Sequence, residues 1–403
     1  MSPTPALYKV LWLALMLRVG LSTEMLNLFI PYTAPGGNPF LKIHPGSYLI
    51  LLTAGLYLFR KATHIASASP VSPPKGLMQF LYLITLIALI NTVRFGTSGM
   101  AYVVDTFIAP LLFIALLSTL PAVFMRKLGV FTLVIVTINS GIAMAEFACR
   151  THFLPHGKFE SFGHFRASAL FGHPLNNALI TAAVAPFVMN TSWKTWQKIL
   201  SLSLMLVSLL AYGARGALMA GGFTLLLAVL LKARQMKRDN TLSLTHITSS
   251  YLMGIIAAGA LALLLLATPM GDRFLDLGLS DSSVAHRFKA FNLLGYLSPL
   301  QLITGINFST YSLLLEMNPE LGIIENFWIN LLASFGLILF VPFLISLGIF
   351  FRGMAHKASP ATVAALIGFL LIASTNNSLS TKTLAFMLFL LPALGLKTEA
   401  KRS

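Results

Sequence analysis

Apolar residues in this chain fall in long unbroken runs, and charged residues act as punctuation between them. Tyr251 to Thr268 carries no charge, and neither does Leu331 to Phe351. At about 1.5 Å of rise per residue, a helix over either run crosses a hydrocarbon core of about 30 Å. Reading every run this way predicts spans at 7–30, 46–60, 76–93, 100–119, 127–148, 168–190, 197–213, 216–232, 248–268, 326–351, 360–375 and 380–396. The second, seventh and eleventh are the short ones. The expected fold class is all-α, a polytopic integral membrane protein of about twelve helices in a single transmembrane domain over residues 1–403.

The basic residues orient that array. Arg60, Lys61 and Lys75 follow the second span, Arg126 and Lys127 the fourth, and Lys194 and Lys198 the sixth. Lys232, Arg234, Lys237 and Arg238 follow the eighth, Arg352 and Lys357 the tenth, and Lys397, Lys401 and Arg402 close the chain. With twelve spans all of these share one side, which the positive-inside bias makes the cytoplasm. Both termini are then cytoplasmic. The opposite side has isolated Lys42, Arg94 and Lys382 and two longer segments, 149–167 and 269–325. The second is an insertion too long for a simple connection, and its stretches Phe291 to Leu297 and Tyr311 to Leu315 are expected to form short helices at the membrane interface.

Composition agrees with this picture. Hydrophobic residues make up 56% of the 403 and charged residues only 10%, against about 25% charged in a soluble globular domain. The formal charge of +16 is not gathered into a patch, so no nucleic-acid partner is expected. Cys149 is the only cysteine, which excludes an intramolecular disulfide and argues against a thiol metal site. Pro3 to Leu7 runs into the first apolar stretch without a small-residue cleavage site, so a retained first helix is expected. No internal repeat stands out, so a transporter built from duplicated halves gains no support.

Candidate chemistry lies on the side opposite the basic loops. Arg166, Arg215 and Arg287 fall there at or near helix ends. Each can be read as an arginine snorkelling toward headgroups. Arg215 fits that reading least, because Gly213 and Gly216 flank it in a tight turn and it opens a helix, whose N-terminus already favours anions. Such groups converging could bind a diphosphate and stabilise it as a leaving group.

His152, His156, His164 and His173 lie close in sequence, but Cys149 and Glu160 would complete only a scattered ligand set, so no metal is expected. His173 and Asn177 head an apolar span in Gly-His-Pro-Leu-Asn-Asn, where polar groups are costly unless paired or lining a cavity. Glu325, beside Asn326 at the start of the tenth span, is either an ordinary helix-start carboxylate or a general base. Asp105, inside the fourth span, is a weaker candidate for the base, and Trp328 reads as an interface anchor. No phosphate-binding Gly-rich loop, Ser-His-Asp set or acidic pair for a divalent metal appears. A transferase of this kind would take a donor activated by something other than a cytoplasmic nucleotide.

These features resemble the O-antigen ligase and O-antigen polymerase superfamily of bacterial envelope glycosyltransferases, over roughly residues 160–340 by motif and the whole chain by topology. Arg215 sits in what looks like the family's Arg-Gly turn, and Arg287, preceded by His286, falls where the family has an arginine early in its long loop. The ligases open the next helix with His-Asn-x-x-Leu and a later glycine. Here the matching residues are Glu325, Asn326, Phe327, Trp328 and Ile329, with Gly336 beyond, so glutamate replaces the histidine. The resemblance implies a GT-C-like inner-membrane fold with the large periplasmic loop between helices nine and ten. It also implies an undecaprenyl-diphosphate-linked oligosaccharide as donor, an acceptor glycan or glycolipid, and inverting chemistry on the periplasmic face with no cofactor. Arg215, Arg287 and Arg166 would hold the diphosphate, Glu325 would take the acceptor's proton, and His173, Asn177, His286 and Asn326 would contact substrate. Polymerisation of a surface polysaccharide is the favoured activity, ligation to lipid A core the runner-up, and transport of a lipid-linked glycan the alternative of another class.

Overall fold

The computed structural model describes residues 4–34, 36–62, 73–154, 160–161, 164–238, 290–322 and 324–398. The chain divides into two compact units. One comprises Met1–Met125, Ser282–Met354 and Ala373–Leu390; the other comprises Arg126–Asp281, Ala355–Ile372 and Leu391–Ser403.

The first unit contains α1 (Thr4–Gly20), α2 (Thr23–Phe29), α3 (Pro45–Ala62), α4 (Leu77–Phe95) and α5 (Ala101–Leu117). The second takes most of α6 (Ala122–Cys149), a two-residue β-ladder of Glu160–Ser161 with His164–Phe165, α7 (Pro174–Val184), α8 (Thr195–Ala211) and α9 (Arg215–Arg238). The chain then returns to the first unit through the short helices α10 (Pro299–Thr304) and α11 (Phe308–Met317) and most of α12 (Phe327–Ala355). Nearly all of α13 (Pro360–Ala373) belongs to the second unit, and α14 (Ala385–Gly395) contributes to both.

Among the described residues α4, α6, α9 and α12 are long and apolar enough to cross a membrane, and α1 with α2 would make a fifth if counted as one bent span. Helices of that length and character mark a helical membrane protein. Helices α3, α5, α8, α13 and α14 are apolar but shorter. The run at 248–268 lies outside the described residues, as do His286 and Arg287. A 3₁₀ turn at Ala290–Tyr296 and helix α11 occupy the two apolar stretches expected to be helical in the long insertion.

Three departures from the sequence reading have clear causes. The first run is not one helix: α1 and α2 meet at 82°, because the Ser22 side chain accepts from the Met25 amide and caps a new helix there. The sixth run becomes helical only at Pro174, with His173 as its N-cap, and tightens to 3₁₀ over Ala185–Asn190. Helix α12 breaks at Gly336, where φ is +68°. There the backbone of Thr304 and Gly305 passes so close that a Cβ on Gly336 would collide with the Gly305 nitrogen. The Ile306 amide also donates to the Ala333 carbonyl at 2.8 Å. Glycine alone combines that conformation with that approach.

The first unit is fastened by a buried charge pair that the sequence reading did not couple. A π-helical turn over Val104–Ile108 carries Asp105, whose side chain has no exposure, and α1 carries Arg18, with 3%. Their charged groups lie 3.6 Å apart. Arg18 donates to the carbonyls of Asp105 at 2.9 Å and Thr383 at 3.1 Å. Asp105 accepts from the Tyr32 hydroxyl at 2.6 Å and from the His44 amide at 3.1 Å. One carboxylate thus joins α1, α5 and the segment between α2 and α3. In the same unit Phe80, Phe107, Phe343 and Phe386 pack on one another, with ring centroids 5.6 to 5.8 Å apart in the Phe80–Phe343, Phe107–Phe343 and Phe107–Phe386 pairs.

Removing one member of a buried pair strands the other charge, so Asp105→Asn should destabilise the protein by about 3–5 kcal/mol. Arg18→Met combined with Asp105→Asn should cost less than Asp105→Asn alone. Unfolding midpoints in detergent measure both, and additive losses would remove the pair from this central place.

His44, in the segment between α2 and α3, gives a pH expectation. Its Nδ1 accepts from the Gly46 amide at 3.0 Å, which leaves the proton on Nε2 to face the Leu21 carbonyl at 2.8 Å. Burial first, then the Arg18 guanidinium, pushes its pKa down to about 3. Unfolded histidine titrates near 6.5, so below that pH the unfolded chain binds a proton that the folded chain refuses. This contribution to stability is present above about pH 6.5 and declines as pH falls toward 3. His44→Gln, which can keep both hydrogen bonds, should shrink the loss of thermal midpoint between pH 7 and pH 5; an unchanged loss would assign it to other groups.

Candidate functional site

The second unit brings four of the candidate residues to one corner. The Arg166 Nε donates to the Tyr212 carbonyl at 2.9 Å. One residue on, the Ala167 amide donates to Ala211 at 3.0 Å, so this extended segment runs along the C-terminal end of α8. Three residues beyond Tyr212, Arg215 is the first residue of α9. The intervening turn closes through Gly213, at φ +62°, whose amide donates to Leu210 at 2.8 Å. Two half-buried guanidinium side chains are therefore tethered to one short turn, one by its hydrogen bond and one by chain connectivity.

His173 lies within electrostatic reach of Arg166. Its Nδ1 accepts from the Leu175 amide at 3.2 Å and caps α7, the helix that Pro174 opens. Asn177 is fully buried one turn into that helix. It donates to the carbonyls of Ser168 at 2.6 Å and His173 at 3.0 Å and accepts from Asn139 at 2.8 Å. Asn139 donates also to the Tyr212 hydroxyl at 2.8 Å and accepts from the Leu170 amide at 2.8 Å. Asn177 thus belongs to a buried network that fixes the corner from behind.

The foundation is Glu146, in the last turn of α6 and wholly buried. Its carboxylate accepts from the amides of Ser168 and Ala169 at 2.9 Å each and of Phe153 at 3.0 Å. His152 stands 3.7 Å away and shares a 2.9 Å hydrogen bond with the Ser168 hydroxyl. One carboxylate therefore gathers both ends of the segment between α6 and α7. The sequence reading passed over Glu146, although an acidic residue inside the apolar run 127–148 was a signal in its own right.

The other candidates lie elsewhere. Glu325 and Asn326 belong to the first unit, just before α12. The Asn326 side-chain oxygen accepts from the amides of Trp328 at 3.0 Å and Ile329 at 3.3 Å, which makes it the cap of that helix. Glu325 is half-buried beside the cap. The Trp328 indole donates to Ser374 at 2.7 Å. Asp105, the weaker candidate base, is engaged by Arg18, Tyr32 and His44 as described above.

The composition of this corner favours an anion over a cation. Two arginines carry positive charge there, and the start of a 24-residue helix adds its partial positive charge. No family model matches the chain, and no curated protein matches its sequence.

Glu146→Gln should separate scaffold from chemistry. The amide keeps one acceptor oxygen but directs an NH₂ group at backbone donors, leaving at least one of them unsatisfied at about 1–3 kcal/mol. Thermal unfolding should shift accordingly, and the Ser168 and Ala169 amides should exchange hydrogen faster. Unchanged exchange at both amides would remove Glu146 from the foundation of the corner.

Proposed function

We propose that the protein is a glycosyltransferase of the bacterial inner membrane, with twelve spans, cytoplasmic termini and a large periplasmic loop between the ninth and tenth. Its donor is a glycan linked to undecaprenyl diphosphate, and its favoured activity is polymerisation of a surface polysaccharide. The observation that carries this reading is that Arg166 is held to the Tyr212 carbonyl, three residues before Arg215 opens α9.

In that reading the acceptor hydroxyl oxygen forms a bond to the anomeric carbon as the bond from that carbon to the diphosphate oxygen breaks. The electron pair of the broken bond goes to the diphosphate, where the guanidinium groups stabilise the added charge. Attack opposite the leaving group inverts the anomeric configuration. The assignments of Arg287 as a further diphosphate ligand and of Glu325 as proton acceptor come from the sequence resemblance.

A transfer assay on purified protein with a lipid-linked glycan tests these roles. Arg215→Ala should abolish transfer and leave folding intact, and lysine should rescue poorly because it lacks the bidentate fork. Arg287→Ala should behave alike. Excess chelator should leave the rate unchanged. Glu325→Gln should slow transfer by about 10²–10⁴-fold if the carboxylate takes the proton, whereas a carboxylate that only complements the helix dipole would cost stability about 0.3–1 kcal/mol and spare activity. Wild-type turnover by Arg215→Ala would sink the proposal.

A further inference from the structure

The first unit carries an open cavity of about 520 Å³. That volume lies within the roughly 300–1,000 Å³ typical of small-molecule sites. Four stretches of chain meet around it: the segment between α2 and α3, the turn before α5, the region from Ile306 to the start of α12, and the loop before α14.

Its charge is one-sided. Lys42 and Lys382 line it, and among the described residues no aspartate or glutamate does. Both lysines point their ammonium groups at one short loop: Lys42 donates to the carbonyls of Pro31 and Ala34, and Lys382 to that of Tyr32. Lys382 also sits 3.9 Å from the centroid of the Tyr32 ring. Carbonyls satisfy N–H donors but do not neutralise charge, and an ammonium has three donors to place. Asp105 is within electrostatic reach of Lys382, but Arg18 already balances it.

The rest of the lining is chiefly apolar, with polar groups gathered along one wall. Asn330 accepts from the Tyr311 hydroxyl at 2.7 Å and donates to Ser380 at 3.0 Å, a fixed set of polar groups along one wall. Phe308, the first residue of helix α11, lines the cavity with 41% of its surface exposed. An aromatic face left open in a cavity that also carries two ammonium groups offers a stacking platform.

We propose that this cavity is a subsite for an acidic saccharide, with the ring stacked on Phe308 and its carboxylate or phosphate group held by Lys42 and Lys382. The proposal rests on the glycosyltransferase reading only in taking the occupant to be a glycan; the sign of its charge follows from the lining.

The test is calorimetric titration of the full-length protein in detergent with three probes: a tetramer of galacturonic acid, a neutral glucose tetramer, and inorganic phosphate. The acidic tetramer should bind at least tenfold more tightly than either of the others. Lys382→Gln, which can keep the Tyr32 hydrogen bond without the charge, should weaken acidic binding about tenfold. Phe308→Ala removes a half-exposed ring and so should fold; it should weaken the acidic tetramer by a similar factor and leave phosphate binding unchanged. Arg215→Ala should lose transfer yet bind the acidic tetramer as the wild type does, so failure of the transfer reading and failure of this one are separable. The proposal is overturned if the acidic tetramer does not bind, if the neutral tetramer or phosphate binds equally well, or if Lys382→Gln and Phe308→Ala in folded protein leave its affinity unchanged. Loss of acidic binding in Arg215→Ala would place the ligand at the arginine corner and overturn it as well.

Discussion

A carboxylate buried among apolar helices has no water to turn to, so the protein must supply every donor it needs. Asp105 and Glu146 each face that demand, one in each compact unit, and they meet it differently. Asp105 takes a cation, a phenol and an amide. Glu146 takes chiefly backbone amides, from Phe153, Ser168 and Ala169. In each case donors come from irregular segments, so satisfying the charge also fixes the course of the chain. The Arg18 pair is thus less a source of net stability than a lock, because desolvation offsets much of the attraction while loss of one member is costly.

That coupling explains why so much non-helical backbone holds a definite shape beside helices. The segment between α2 and α3 is held by Asp105, Lys42 and Lys382 together. The approach to α7 is held by Glu146 and Asn177. Binding groups concentrate on such connecting segments when a rigid scaffold positions them. Here the scaffold includes the buried polar network, and Arg166 inherits its place from the Ala167–Ala211 bond next to it.

The helices were legible in the sequence because apolar runs of this length leave few alternatives, and nearly every described helix lies on a predicted run. The interruptions were harder to see. Ser22 is an unremarkable serine until its oxygen caps α2, and Gly336 looks like a helix glycine until Gly305 arrives from over thirty residues earlier in the chain. Arg215 at a helix start could be read from its flanking glycines, since that signal is local. Asn177 and Asn326 also announced polar groups at helix starts, but whether such a group faces a ligand or a neighbouring amide depends on packing. Asn177 is bonded to Asn139, Ser168 and His173, and Asn326 caps α12. Arg18 and Glu146 stood in plain view as charges inside apolar runs. Their partners lie 87 and up to 23 residues away, beyond what periodicity can report.

The way cations are satisfied here bears on what the first unit can accept. A buried carboxylate that finds a guanidinium, as Asp105 does, loses most of its outward field. Lys42 and Lys382 find carbonyls instead, which orient dipoles toward the charge and leave the monopole in place. Both therefore stiffen the loop around Tyr32 while still presenting positive potential to the cavity they line. With walls of low dielectric, such a cleft focuses that potential more strongly than an open surface would. The bonds that hold the loop in place thus also make the cavity selective for negative charge, since any neutral occupant would have to displace water from the ammonium groups without compensating them.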